Sequence, residues 1–100
     1  MESEVRLDIE KEIRKCQHII SILDRVYEKL TKAYLELATL PVEITLRTYG
    51  YRDIQTELSE INYRLEDKIL REMQELVKRI ASCKVSYEER IALLKARMEK

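Results

Sequence analysis

The side chains that could carry chemistry are few and scattered. His18 is the single histidine in 100 residues. A zinc site needs several His, Cys or carboxylate ligands at defined spacing, and His18 has neither a second histidine nor a cysteine pair beside it. With Cys16 counted as a core position of a helix, His18 falls on the outer face and reads as a solvated imidazole. Cys16 and Cys83 are the only cysteines, and their separation matches neither a CxxC nor a zinc-ligand pattern. Both fall on an apolar stripe, where a free thiol acts as a small hydrophobe. Carboxylates are plentiful, but a catalytic pair needs burial or a local field to split its pKa values. Glu57, Glu60 and Asp67, set among lysines and arginines, read as solvated surface. No base sits beside a Ser, Thr or Tyr to activate it, and a chain with one glycine has no phosphate-binding loop. These absences argue against an enzyme and predict no cofactor and no metal.

Two segments could bind a partner. Arg47-Thr-Tyr-Gly-Tyr-Arg52 places two arginines around two tyrosines and the only glycine. Arg and Tyr are enriched at interface hot spots and also stack on unpaired bases, so Arg47, Tyr49, Tyr51 and Arg52 are the candidate partner-binding residues. The competing reading is that Gly50 makes a turn and Tyr51 starts the next helix. The tail carries Lys84, Arg90, Lys95, Arg97 and Lys100, intermixed with Glu88, Glu89 and Glu99. That mixture reads as an ordinary charged helix face rather than a membrane or nucleic-acid helix.

The elements that must position these residues are helices. Ile13, Cys16, Ile20, Leu23, Tyr27, Leu30, Tyr34 and Leu37 recur at alternating steps of three and four, a heptad seam that Ile19, Ile22, Val26 and Ala33 broaden. Pro41 predicts a stop, and the stretch from Leu40 to Gly50 reads as an irregular connector or a short helical turn. The seam resumes with Ile54, Leu58, Ile61, Leu65, Ile69, Met73, Leu76, Ile80 and Cys83. Its two consecutive four-residue steps, Leu65 to Ile69 to Met73, are a stutter, where a supercoil locally unwinds. Ser86-Tyr-Glu-Glu89 resembles a capping box after the weak helix formers of Ser82-Cys-Lys-Val-Ser86. The expected fold is therefore all-α: a long antiparallel helical hairpin with coiled-coil-like packing and a shorter C-terminal helix or helical extension. The expected spans are one domain over 1–100, with helix about 4–38, connector about 39–51, helix about 52–82 and helix about 86–98.

A hairpin of those spans sets Cys16 opposite residue 74, so it misses Cys83 by about 13 Å and no disulfide forms. The same spans give a first helix of about 52 Å against about 72 Å for Tyr51 to Met98. Ile91, Leu94 and Met98 would then lack an intramolecular cover, and they become the candidate oligomer interface of a homodimer.

Composition sets the remaining bounds. Hydrophobic residues make up 45% and charged residues 38%, with no Phe or Trp, a profile close to that of long helices. The 19 basic and 19 acidic side chains cancel, so no global field draws the chain to nucleic acid or to an anionic membrane. No apolar run is long enough to span a bilayer, and Met1-Glu-Ser-Glu lacks signal-peptide features, so a cytoplasmic location is expected. The scarcity of Asn and Gln (Gln17, Gln55, Asn62, Gln74) beside abundant Lys, Glu, Arg and Ile is a bias seen in thermophile proteins. The expected function is that of a non-enzymatic structural or adaptor module working through oligomerisation and protein–protein interaction. The alternative is a small helical nucleic-acid-binding subunit that uses Arg47 to Arg52 and the basic tail.

Overall fold

The protein is a helical hairpin in the computed structural model, which describes residues 3–99. The first arm is α1 (Ser3–Ala38) followed by α2 (Leu40–Arg47). A turn over Thr48 to Tyr51 and a 3-10 turn (Arg52–Ile54) lead to the second arm, which comprises α3 (Gln55–Arg64), a π turn (Leu65–Leu70) and α4 (Arg71–Glu99). The described residues contain no strand. None of their helices is long and apolar enough to cross a membrane. Lys100, counted above with the basic tail, lies outside the described residues.

Pro41 interrupts the first arm less than expected. It sits in the first turn of α2, where backbone N–H groups lack helical acceptors and proline costs little. Only Thr39 leaves the helical run, and the Glu43 N–H donates to its carbonyl at 3.1 Å. The region expected to be an irregular connector over 39–51 is therefore mostly helix. The chain reverses over four residues, with Gly50 at φ +92°, a left-handed conformation that glycine adopts without steric cost. The Tyr51 N–H closes the turn on the Thr48 carbonyl at 3.0 Å.

The second arm also departs from expectation at residue 86. Helix α4 runs through Ser82–Ser86 without a break. Ser86 does not cap a new helix, because its hydroxyl donates to the Ser82 carbonyl at 3.2 Å within the same helix. Such i−4 bonds let a serine sit inside a helix that its neighbours sustain.

The chain divides into two compact units, Met1–Glu28 with Arg79–Lys100, and Lys29–Lys78. In the first, Ile9, Ile13, Cys16 and Ile80 are buried. Glu12 meets Arg90 at 2.9 Å, and Asp24 pairs with Lys84, which also lies 3.8 Å from Glu88. These pairs fix an antiparallel register that puts Cys16 opposite residues 86 to 92, not 74. The expected register was shifted because the first arm continues to Arg47 and the reversal is short. Both cysteines are nonetheless free, Cys16 fully buried and Cys83 half-buried.

In the second unit Pro41, Leu65 and Leu70 are buried. Gln74 donates to the Tyr34 hydroxyl, and Asn62 Nδ2 to Thr45 Oγ1 at 3.5 Å. The stutter read at Leu65 to Met73 is taken up by the π turn. A π turn carries one more residue than an α turn, so the inward face passes from Leu65 to Leu70 rather than to Ile69. Leu70 is buried and Val77 half-buried, while Ile54, Ile61, Ile69 and Leu76, all expected on the seam, are exposed.

The length argument behind a dimer through Ile91, Leu94 and Met98 loses its premise. The first arm reaches Arg47 and the second starts at Arg52, so the arms are nearly equal. Ile91, Leu94 and Met98 are each half-buried within the first unit, and Met98 shares a groove with Ile13 of α1.

Candidate interaction surface at the hairpin turn

The Lys29–Lys78 unit carries the turn, and the turn carries the four residues singled out for partner binding. Arg47 is the last residue of α2, and its guanidinium reaches back to Glu43 at 3.0 Å, one helical turn earlier. Tyr49 is 88% exposed, Tyr51 is exposed, and Arg52 opens the 3-10 turn with its side chain in solvent. The structure therefore collects Arg47, Tyr49, Tyr51 and Arg52 on the four-residue reversal and its flanks. Tyr51 precedes the second arm rather than anchoring it.

Threonine chemistry shapes this end. The hydroxyls of Thr45 and Thr48 donate to the carbonyls of Pro41 and Ile44, at 2.9 and 2.6 Å. Both are i−4 bonds to helix carbonyls, and at Ile44 the hydroxyl shares a carbonyl that the Thr48 N–H already reaches at 3.1 Å. Both threonines line a groove of about 190 Å³ together with Ile44 of α2, Tyr49 of the turn, and Gln55, Leu58, Ser59 and Asn62 of α3. Asn62 Oδ1 is shielded from solvent and meets no donor among the described residues.

Two exposed apolar residues of the turn region were not among the sequence candidates. Leu46 is 72% and Val42 63% exposed. Val42 and Leu46 are one helical turn apart on α2, so their common face was legible once the segment was read as helix. What hid it was the equally good alternation of Val42, Ile44 and Leu46.

The remaining chemistry is sparse. His18 is exposed, and Glu60 is paired with Arg64 at 2.9 Å. Asp67, expected at the solvated surface, is half-buried in the π turn. No group of three or more His, Cys, Asp or Glu among the described residues could hold a metal ion. The basic tail is partly consumed by structure, since Lys84 and Arg90 pair across the hairpin with Asp24 and Glu12. The hydrogen bond that Lys84 donates to the Asp24 carboxylate raises the Lys84 pKa above its ordinary 10.5, with partial desolvation opposing and the nearby Asp24 and Glu88 charges adding to it. The chain matches no known protein family, no curated protein and no solved structure.

Proposed function

We propose that this chain is a non-enzymatic helical adaptor, acting through self-association and through a protein partner that docks at the hairpin turn. The observation that carries the reading is the exposure of Val42 and Leu46 on α2 and of Tyr49 and Tyr51 on the turn that follows it. Large aliphatic and aromatic side chains held in water by a rigid scaffold mark association sites. Tyr and Arg supply contact area and hydrogen bonds at low entropic cost.

The nucleic-acid alternative draws less support. Arg47 is engaged by Glu43, and Lys84 and Arg90 of the tail are engaged by acids of α1, while the 19 acidic side chains balance the 19 basic ones.

The test is Tyr49→Ala. Tyr49 makes little contact with its own chain, so the variant should keep the wild-type melting temperature while losing a partner that the wild-type chain retains on purification from its native source. A large drop in stability with the complex intact would move Tyr49 into the folding core and end the reading. Binding to a labelled oligonucleotide that weakens by orders of magnitude between 50 and 200 mM salt would install the alternative.

A further inference from the structure

The second arm carries an apolar stripe that the hairpin does not use. Ile54, Ile61, Ile69 and Leu76 recur at steps of seven, eight and seven, the eight falling across the π turn that holds one extra residue. Ile61 is 52%, Ile69 48% and Leu76 47% exposed. Heptad spacing keeps residues on one helix face and is the signature of a helix that receives another helix. The intramolecular contact is made by Leu65, Leu70 and Ile80, and these four members of the seam are left outward.

We infer that this stripe is where a second copy of the chain docks, second arm against second arm, antiparallel about a two-fold axis near Ile69. The inference rests on the self-association part of the proposed function and names its surface. The occupant follows from self-complementarity, because a two-fold interface must match itself. With the axis near Ile69, Ile61 of each chain faces Leu76 of the other, and Ile69 faces its own copy. The charged row beside the stripe matches in the same register: Arg64 of each chain comes opposite Glu72 of the other, so an opposite-charge pair forms twice. Arg64 is held within its own chain by Glu60 at 2.9 Å, which extends it along the helix surface. Lys68 is the one like-charge encounter, since it meets its own copy, and Glu72 lies one helical turn from it on the same face. A parallel arrangement would set Arg64 on Arg64 and Glu72 on Glu72.

The experiment is light scattering on the full chain at micromolar concentration, with Ile69→Glu and Leu76→Glu as variants. Both positions are exposed in the single chain, so helical content by circular dichroism should be unchanged. The wild type should scatter at twice the 12.0 kDa chain mass and each variant at the chain mass. In parallel, Lys68→Cys should couple to its own copy through a short bis-maleimide faster than Tyr63→Cys or the wild-type chain does. A wild-type dimer that survives both glutamate substitutions, or equal coupling of the two cysteine variants, would overturn this surface while leaving self-association standing. A wild-type chain that is monomeric and cooperatively folded would remove both.

Discussion

In the unit built from Met1–Glu28 and Arg79–Lys100, both helices are uninterrupted α-helix, the buried residues are Ile9, Ile13, Cys16 and Ile80, and ion pairs cross between the helices at Glu12–Arg90 and Asp24–Lys84. The Lys29–Lys78 unit leaves α-geometry at Thr39, over Thr48 to Tyr51, and again at Leu65–Leu70. It buries Pro41, Leu65 and Leu70, holds its arms with neutral hydrogen bonds, and exposes Leu35, Val42, Leu46, Tyr49, Ile61 and Ile69. The regular unit also leaves apolar surface in water, at Val5, Leu7, Ile22, Val26, Val85, Leu93 and, against expectation, Tyr27 of the seam. Each backbone irregularity rotates the apolar face of its helix and leaves part of it uncovered. The comparison places the uninterrupted helices in the first unit, whereas the proposed association surfaces lie in the second.

The largest test of that comparison is a matched pair of truncations. Ile13→Ala removes a buried side chain from the regular unit and should cost about 2–4 kcal/mol by chemical denaturation. Ile61→Ala removes an exposed one and should fall within about 0.5 kcal/mol at concentrations where the chain is monomeric. Equal costs would erase the distinction. Gly50→Ala probes the turn more sharply than any contact can. Nothing lies within 4 Å of the added methyl group, so the whole effect comes from the left-handed backbone, about 1–2 kcal/mol. A neutral result would mean that the turn relaxes to a conformation open to other residues.

The smallest effect concerns Lys84. Its pKa is raised in the folded chain by the hydrogen bond with Asp24, so folding favours the protonated form. The contribution is complete below the unfolded value of 10.5 and is lost as the pH climbs through the raised folded value. Stability of the wild type relative to Lys84→Met should therefore be constant from neutral pH to about pH 10 and shrink above it. A difference that shrank below pH 9 instead would point to another group.

The expectations met different fates in the two units, for a local reason. Along residues 3–28 the alternating three- and four-residue steps pick out Ile13 and Cys16 as core, and the structure buries both. In the second arm the stutter at Leu65 was placed correctly, yet its form was not legible. A stutter can be absorbed by unwinding over many residues or by a single π turn, and the apolar pattern is nearly the same in both cases. The choice moved Ile69 from core to surface. Position 86 shows the converse, because a capping-box pattern competes with a hydroxyl bond to the i−4 carbonyl, and packing against α1 favoured the unbroken helix.

The residues by themselves determined the all-α class and the reversal near the only glycine. These follow from periodicity and composition, which act over a few residues at a time. The tertiary structure alone decided the register of the two arms. That choice determined that Ile91, Leu94 and Met98 have an intramolecular cover, that Lys84 and Arg90 are tied up in ion pairs, and that Ile61, Ile69 and Leu76 are left facing solvent. Register depends on how many residues the reversal consumes, and the conformations of Thr39 and Pro41 set that number only once the helices on either side are packed.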